Sequence, residues 1–229
     1  MLLRTLVVSL ASLLFFSGRA ICQVPHDSSH ALVPCGESPT PGSRPPNRPC
    51  AVLVHRQFDS IPSGRLVLRL ETFADSERAL QASTPASAVV RADGRIWLLT
   101  LAPAGGRSPG GHFVTEIGPV PEIPKARRYE MRVAEADFGP EVNTAVSNAV
   151  HTHSGPELWY LFTGEQCLET PGGTTRARAG EGMVARAETP MQLTIVGPSK
   201  RDALFVVIHD AARPATTVSV WRPTGACRE

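Results

Sequence analysis

The stretch His151-Thr152-His153-Ser154-Gly155-Pro156-Glu157, closed by Gly164, constrains this chain more than any other segment. Side chains alternate along an extended strand, so histidines at i and i+2 project from the same face. A turn at Gly155-Pro156 then brings Glu157 round to the two imidazoles. Two imidazoles and a carboxylate suit one divalent transition metal, with iron, manganese, zinc and nickel all compatible. The spacing therefore asks for short strands joined by a tight turn.

The rest of the chain repeats that demand. Residues 65–71 alternate apolar and polar, and 88–91 and 95–101 flank Asp93-Gly94, a tight hairpin turn signal. A glycine-rich loop at 104–111 precedes a strand at 112–117, and 118–125, with three prolines, is the internal boundary. Further strands are expected at 129–135, 157–162, 192–196, 203–209 and 217–221. Residues 75–82, with Asp75 as cap, form the one short helix. No segment has the length or period for a parallel α/β sheet, so the fold class is all-β. A net charge of +2, with no basic stretch interleaved with aromatics, excludes a nucleic-acid partner.

Residues 151–164 resemble the first sequence motif of the cupin superfamily, G-x5-H-x-H-x3,4-E-x6-G, and match it from His151 to Gly164. The leading glycine is absent: Ala145 stands six residues before His151, and the nearest upstream glycine is Gly139. The second motif, G-x5-P-x-G-x2-H-x3-N, is eroded. Gly180 and Thr189-Pro190 survive from it, and Met191 occupies the place of the fourth ligand histidine. The resemblance covers about the last hundred residues. It implies a cupin-type antiparallel jelly-roll barrel with metal ligands His151, His153 and Glu157, to which the strands read within residues 51–125 are additional.

Around that barrel the chain divides into four stretches. Residues 1–20 read as an export signal, with Arg4 as the positive end, an apolar run at 6–16 and Gly18-Arg19-Ala20 before a mature start at Ile21. An apolar helix of about 16 Å is too short to cross a bilayer, so the chain is not membrane-spanning. Residues 21–50 are a Pro-rich tether in which His26 and His30 are solvated. Residues 51–125 are a β-rich extension, either a subdomain or strands added to the barrel's sheets, and 126–229 are the cupin domain. The destination is periplasmic or extracellular. There Cys35 and Cys50 can close a loop, and Cys22 and Cys227 near the ends can pair with each other or with these. Cys167 reads as a small buried hydrophobe.

The second line of site residues is Trp159, Met191 and His209, all pocket candidates. Trp159 shares a strand face with Glu157, Met191 lines the wall, and His209 ends a strand, as a replacement ligand or as a hydrogen-bonded structural histidine. Three protein ligands leave coordination positions open, which is the arrangement of catalytic rather than structural sites. Two function classes follow from the resemblance. One is a metal-dependent enzyme of oxygenase, isomerase or hydrolase type acting on a small organic molecule. The other is a non-catalytic barrel that binds a small molecule and has lost its metal. A homodimer through strand edges or sheet faces is expected, since open sheets leave edges to be covered.

Overall fold

The computed structural model describes residues 35–38, 42–44, 50–138 and 149–228. The expected export signal at 1–20, its cleavage point before Ile21, Cys22, His26, His30, Gly139 and Ala145 lie outside the described residues. The described residues form fifteen strands and one short α-helix, beginning with β1 (Gly36–Glu37), β2 (Cys50–Phe58), β3 (Leu66–Phe73), α1 (Ser76–Gln81), β4 (Ser87–Ala92), β5 (Arg95–Pro103), β6 (His112–Ile117) and β7 (Tyr129–Phe138). The second half holds β8 (His151–His153), β9 (Glu157–Thr163), β10 (Glu165–Thr170), β11 (Gly173–Arg178), β12 (Gly182–Ala185), β13 (Gln192–Val196), β14 (Arg201–Asp210) and β15 (Thr216–Val218). The fold is all-β.

Local signals in the sequence act where expected. Asp75 caps α1 by accepting a hydrogen bond from the Arg78 N–H at 2.8 Å. Asp93 and Gly94 both take positive φ, 45° and 68°, the backbone a two-residue hairpin loop needs between β4 and β5.

The central sheet has the order β1-β2-β7-β14-β9-β12. A sheet covered on both sides reads as a continuous apolar run, and β14, with Ala-Leu-Phe-Val-Val-Ile in its middle, is buried over nine of its ten residues. On one side the sheet β4-β5-β3-β6 packs against it. Leu68, Leu70, Trp97 and Leu99 there meet Met131, Val133, Leu158, Leu204 and Val206 in one core. On the other side lies the sheet β11-β10-β13, which is continued by the antiparallel bridge His151–Met191 to the pair β8-β15. Trp159, Leu161, Ala134 and Phe205 of the central sheet fill this second core with Leu168, Met191 and Leu193.

The region 51–125 therefore does two things. β2 pairs along β7 and belongs to the central sheet, while β3 to β6 form a separate sheet that covers its outer face. Two disulfides pin the ends. Cys35–Cys50 ties the segment before β2 to that strand, as its spacing allowed. Cys167 is bonded to Cys227, which corrects its reading as a free hydrophobic thiol. The 3₁₀ turn Ala226–Arg228 delivers Cys227 to β10, and Glu169 anchors the approach by accepting from the Thr224 and Gly225 N–H groups.

Candidate metal centre

Strand alternation and one turn build the site. His151 and His153 sit at the ends of the three-residue strand β8 with Thr152 between them, and both imidazoles point into the interior. Gly155-Pro156 turns the chain into β9, and Glu157 enters as its first residue. The three side chains lie together as one cluster, and each residue is at most 3% exposed.

Their hydrogen bonds fix the tautomers. His151 Nδ1 lies 2.8 Å from the Ala149 carbonyl oxygen, and His153 Nδ1 lies 3.0 Å from that of Ala215. A carbonyl only accepts, so each Nδ1 carries a proton, and whenever a ring is neutral its Nε2 lone pair turns inward. The two Nε2 atoms face each other at 3.1 Å, and His153 Nε2 is 3.2 Å from Glu157 Oε1. Glu157 Oε2 is buried without a hydrogen-bond partner. Metal bonds of about 2.1 Å at tetrahedral to right angles place neighbouring ligand atoms about 3.0–3.4 Å apart, so the two spacings fit a cation.

Electrostatics divide the two imidazoles. Burial and the neighbouring His153 lower the pKa of His151 against the pull of Glu157. Burial would lower His153 as well, but the charge of Glu157 and its hydrogen bond outweigh this and raise it. Glu157 is lowered: burial opposes its charge, and His153 and His151 overcome the opposition. A charged carboxylate beside two imidazole nitrogens is a donor set that could hold a divalent ion.

The pocket candidates separate. Met191 is fully buried and directly opposite His151, exchanging both backbone hydrogen bonds with it at 3.1 and 2.8 Å. Side chains of such a pair stand on one face. Trp159 stacks on Phe205 with ring centroids 4.4 Å apart, an apolar wall on the Glu157 face of β9. His209 does not join the cluster. Its Nδ1 lies 2.8 Å from the Asp210 carbonyl oxygen, and its Nε2 faces Glu130 Oε1 at 3.4 Å.

Two arginines escaped the sequence reading. Arg201 is buried on the inner face of β14, its guanidinium 4.7 Å from the Phe138 ring centroid and 5.1 Å from that of Trp159. Burial holds its pKa down to about 10. Arg132 on β7 faces the same interior, and its charge acts on His153. Strand alternation gave their parity, but only the sheet order shows which residues they stand beside.

No family model and no curated protein sequence matches the chain. Solved structures similar to it include a cupin superfamily protein from Desulfitobacterium hafniense, 12% identical with a TM-score of 0.30, covering 35% of this chain and 68% of that one. A double-stranded β-helix protein from Klebsiella pneumoniae is 18% identical with a TM-score of 0.33, covering 40% and 76%. A DMSP lyase from Ruegeria pomeroyi is 13% identical with a TM-score of 0.32, covering 39% of this chain and 43% of that one. This chain thus spans less than half of the lyase. Since these scores are low, the architecture of the barrel stands on its own strand order and on where the motif residues fall in it. The fold is a cupin-type barrel.

Proposed function

We propose that residues 126–229 act as a metal-binding cupin domain in which His151, His153 and Glu157 hold one divalent transition metal (iron, manganese, zinc or nickel), and that a small organic substrate reacts beside it. The observation that carries this reading is the convergence of two imidazole Nε2 atoms and the Glu157 carboxylate in one buried cluster, with His153 Nε2 3.1 Å from His151 Nε2 and 3.2 Å from Glu157 Oε1. Ala149 and Ala215 orient the rings, so the ligand atoms are set before any ion arrives. A bound ion supplies Lewis-acid or redox chemistry, as an oxygenase, isomerase or hydrolase requires. The chain's own residues set the surroundings: Trp159 on Phe205 gives a dry wall, and Met191 leaves the fourth ligand place without a strong donor.

Met191 also favours the competing reading, a small-molecule-binding barrel that has lost its metal. Elemental analysis of protein taken from the exported fraction, with no affinity-metal step, decides between them. About one equivalent of metal per chain is expected, lost in both His151→Ala and Glu157→Ala because removing one of three ligands leaves too few bonds to offset dehydration. Metal-free wild-type protein under reducing, chelator-free conditions makes the binding barrel the better account.

We propose export to the periplasm or exterior as well. Two disulfides support it, since such bonds persist in oxidising compartments. N-terminal sequencing should find Ile21, and an intact Met1 on exported protein refutes the cleavage. Among the described residues no helix is long and apolar enough to cross a membrane. Self-association is proposed through the exposed Val218 and Val220 at and beyond the β15 edge, and a monomer by sedimentation ends that proposal alone.

A further inference from the structure

The inner face of the central sheet carries a row of side chains set by register. Glu157 on β9 pairs with Val207 on β14, Val207 with Arg132 on β7, and Arg132 with His55 on β2. Directly paired residues of an antiparallel sheet project from the same face. The irregularity between Val52 and Val54 returns His55 to that face. Neighbouring strands lie about 4.8 Å apart, so Arg132 starts about 10 Å from Glu157, with the apolar Val207 on the strand between them.

Arg132 is half-buried and makes no hydrogen bond or ion pair among the described residues. The nearest acid along its own strand face, Glu130, is already engaged. It faces His55 Nδ1 at 2.7 Å, accepts from Gln57 Nε2 at 3.4 Å and faces His209 Nε2 at 3.4 Å. Deeper in the same barrel Arg201 is 4% exposed, and its Nε has no partner. Arg132 thus stands on this inner face as a guanidinium with no carboxylate within ion-pair distance among the described residues, while Glu130 is engaged by His55 and Gln57 and Glu157 by His153. A buried or half-buried cation without a counter-charge costs free energy, and a bound anion relieves that cost.

We propose that the substrate is a short organic acid, its carboxylate paired with Arg132 while the reacting end faces His151, His153 and Glu157. This rests on the metal reading of the same cluster. A planar guanidinium matches a carboxylate through two parallel N–H donors. A single free arginine suits a carboxylate monoanion better than a phosphate, whose greater charge asks for more donors. Val207 forms the floor under the carbon chain.

The test is isothermal titration of the full exported chain with malonate, succinate, their neutral diamides and inorganic phosphate, with metal content measured on the same samples. An acid should bind at least about tenfold more tightly than its diamide. Arg132→Gln should weaken acid binding by about 10- to 100-fold with metal stoichiometry unchanged, and Arg132→Lys should recover part of it. Equal affinity for acid and diamide in the unmodified protein overturns the proposal without recourse to any variant. So do an unaltered affinity in Arg132→Gln, binding of none of the acids, or tighter binding of phosphate than of either acid. If the protein holds no metal yet prefers the acid through Arg132, the metal reading fails and the carboxylate site stands.

Discussion

Gly155→Ala should dismantle the His151, His153 and Glu157 cluster, although Gly155 is not part of it. A β-carbon at this position falls 1.8 Å from the Ile208 carbonyl oxygen, 2.6 Å from its carbon and 2.9 Å from His209 Cα. Carbon–oxygen contacts normally stop near ~3.3 Å, so the turn and β14 must separate by about 1.5 Å. β14 cannot yield easily, because it is hydrogen-bonded to β7 on one side and to β9 on the other. The turn must move instead. That stretches the bond from the Ile208 N–H to the Pro156 carbonyl, now 3.2 Å, and the contacts of Ser154 with Ala215 and Pro214. His153 and Glu157 flank the displaced segment, and metal bonds tolerate errors of only about 0.2 Å.

The expected cost is about 3 kcal/mol or more, at the upper end for overpacking because the clash is with backbone. For a domain of this size that is a fall in Tm of about 6–12 °C. Differential scanning fluorimetry and elemental analysis on the same preparations measure both effects. Gly172→Ala is the control: its added carbon meets nothing nearer than Thr170 Oγ1 at 3.6 Å, so its change should stay within about 0.5 kcal/mol. A Gly155→Ala protein with unchanged Tm and a full equivalent of metal would refute the reasoning.

Three further changes probe other parts of the molecule. Met191→His places an imidazole opposite His151 and should tighten metal binding while slowing any turnover, read by competition with a chelator and by activity; no gain in affinity removes position 191 from the ligand sphere. Glu71 is fully buried, and although burial opposes it, the Ser108 O–H and N–H and the Arg69 guanidinium lower its pKa. Its contribution is therefore present above the unfolded value and lost as pH falls through the lower folded one: Glu71→Gln should cost about 3 kcal/mol in urea unfolding at pH 7, and the gap to wild type should close in acid below about pH 4. Cys227→Ser opens a disulfide spanning 60 positions and should cost about 4 kcal/mol of chain-entropy stabilisation in non-reducing denaturation, and a loss under about 1 kcal/mol would show that the unfolded chain is little constrained by it.

What could be read from the sequence follows interaction range. Asp93-Gly94, the Asp75 cap and the alternation of β8 and β9 are decided within a few residues, and each is found where the pattern put it. The His151, His153 and Glu157 cluster was legible for the same reason, since one short turn joins its parts. Pairings across long stretches were not. Cys167 reads as a buried apolar side chain because its own strand is apolar, and nothing local announces a partner 60 positions away. Arg132 and Arg201 show only as polar residues on strands until the order β2-β7-β14-β9 sets one beside Val207 and the other against Phe138 and Trp159.

The same order explains why so much chain surrounds so small a cluster. Glu157 and Trp159 face one core of the central sheet, and Leu158 between them faces the other, so the strand that carries Glu157 inward also carries apolar side chains outward. β7 and β14 do likewise with Met131, Val133, Leu204, Val206 and Ile208. Left bare, that face is a contiguous apolar patch of the kind soluble monomers rarely expose. The sheet β4-β5-β3-β6 covers it, and β2 completes the central sheet while bringing His55 to Glu130. Among the described residues the N-terminal half adds nothing to the His151, His153 and Glu157 cluster, yet it closes the layer on which that cluster, the turn at Gly155 and Arg132 all depend. The His151, His153 and Glu157 cluster belongs to the second half of the chain, but the stability that keeps its spacing belongs to both.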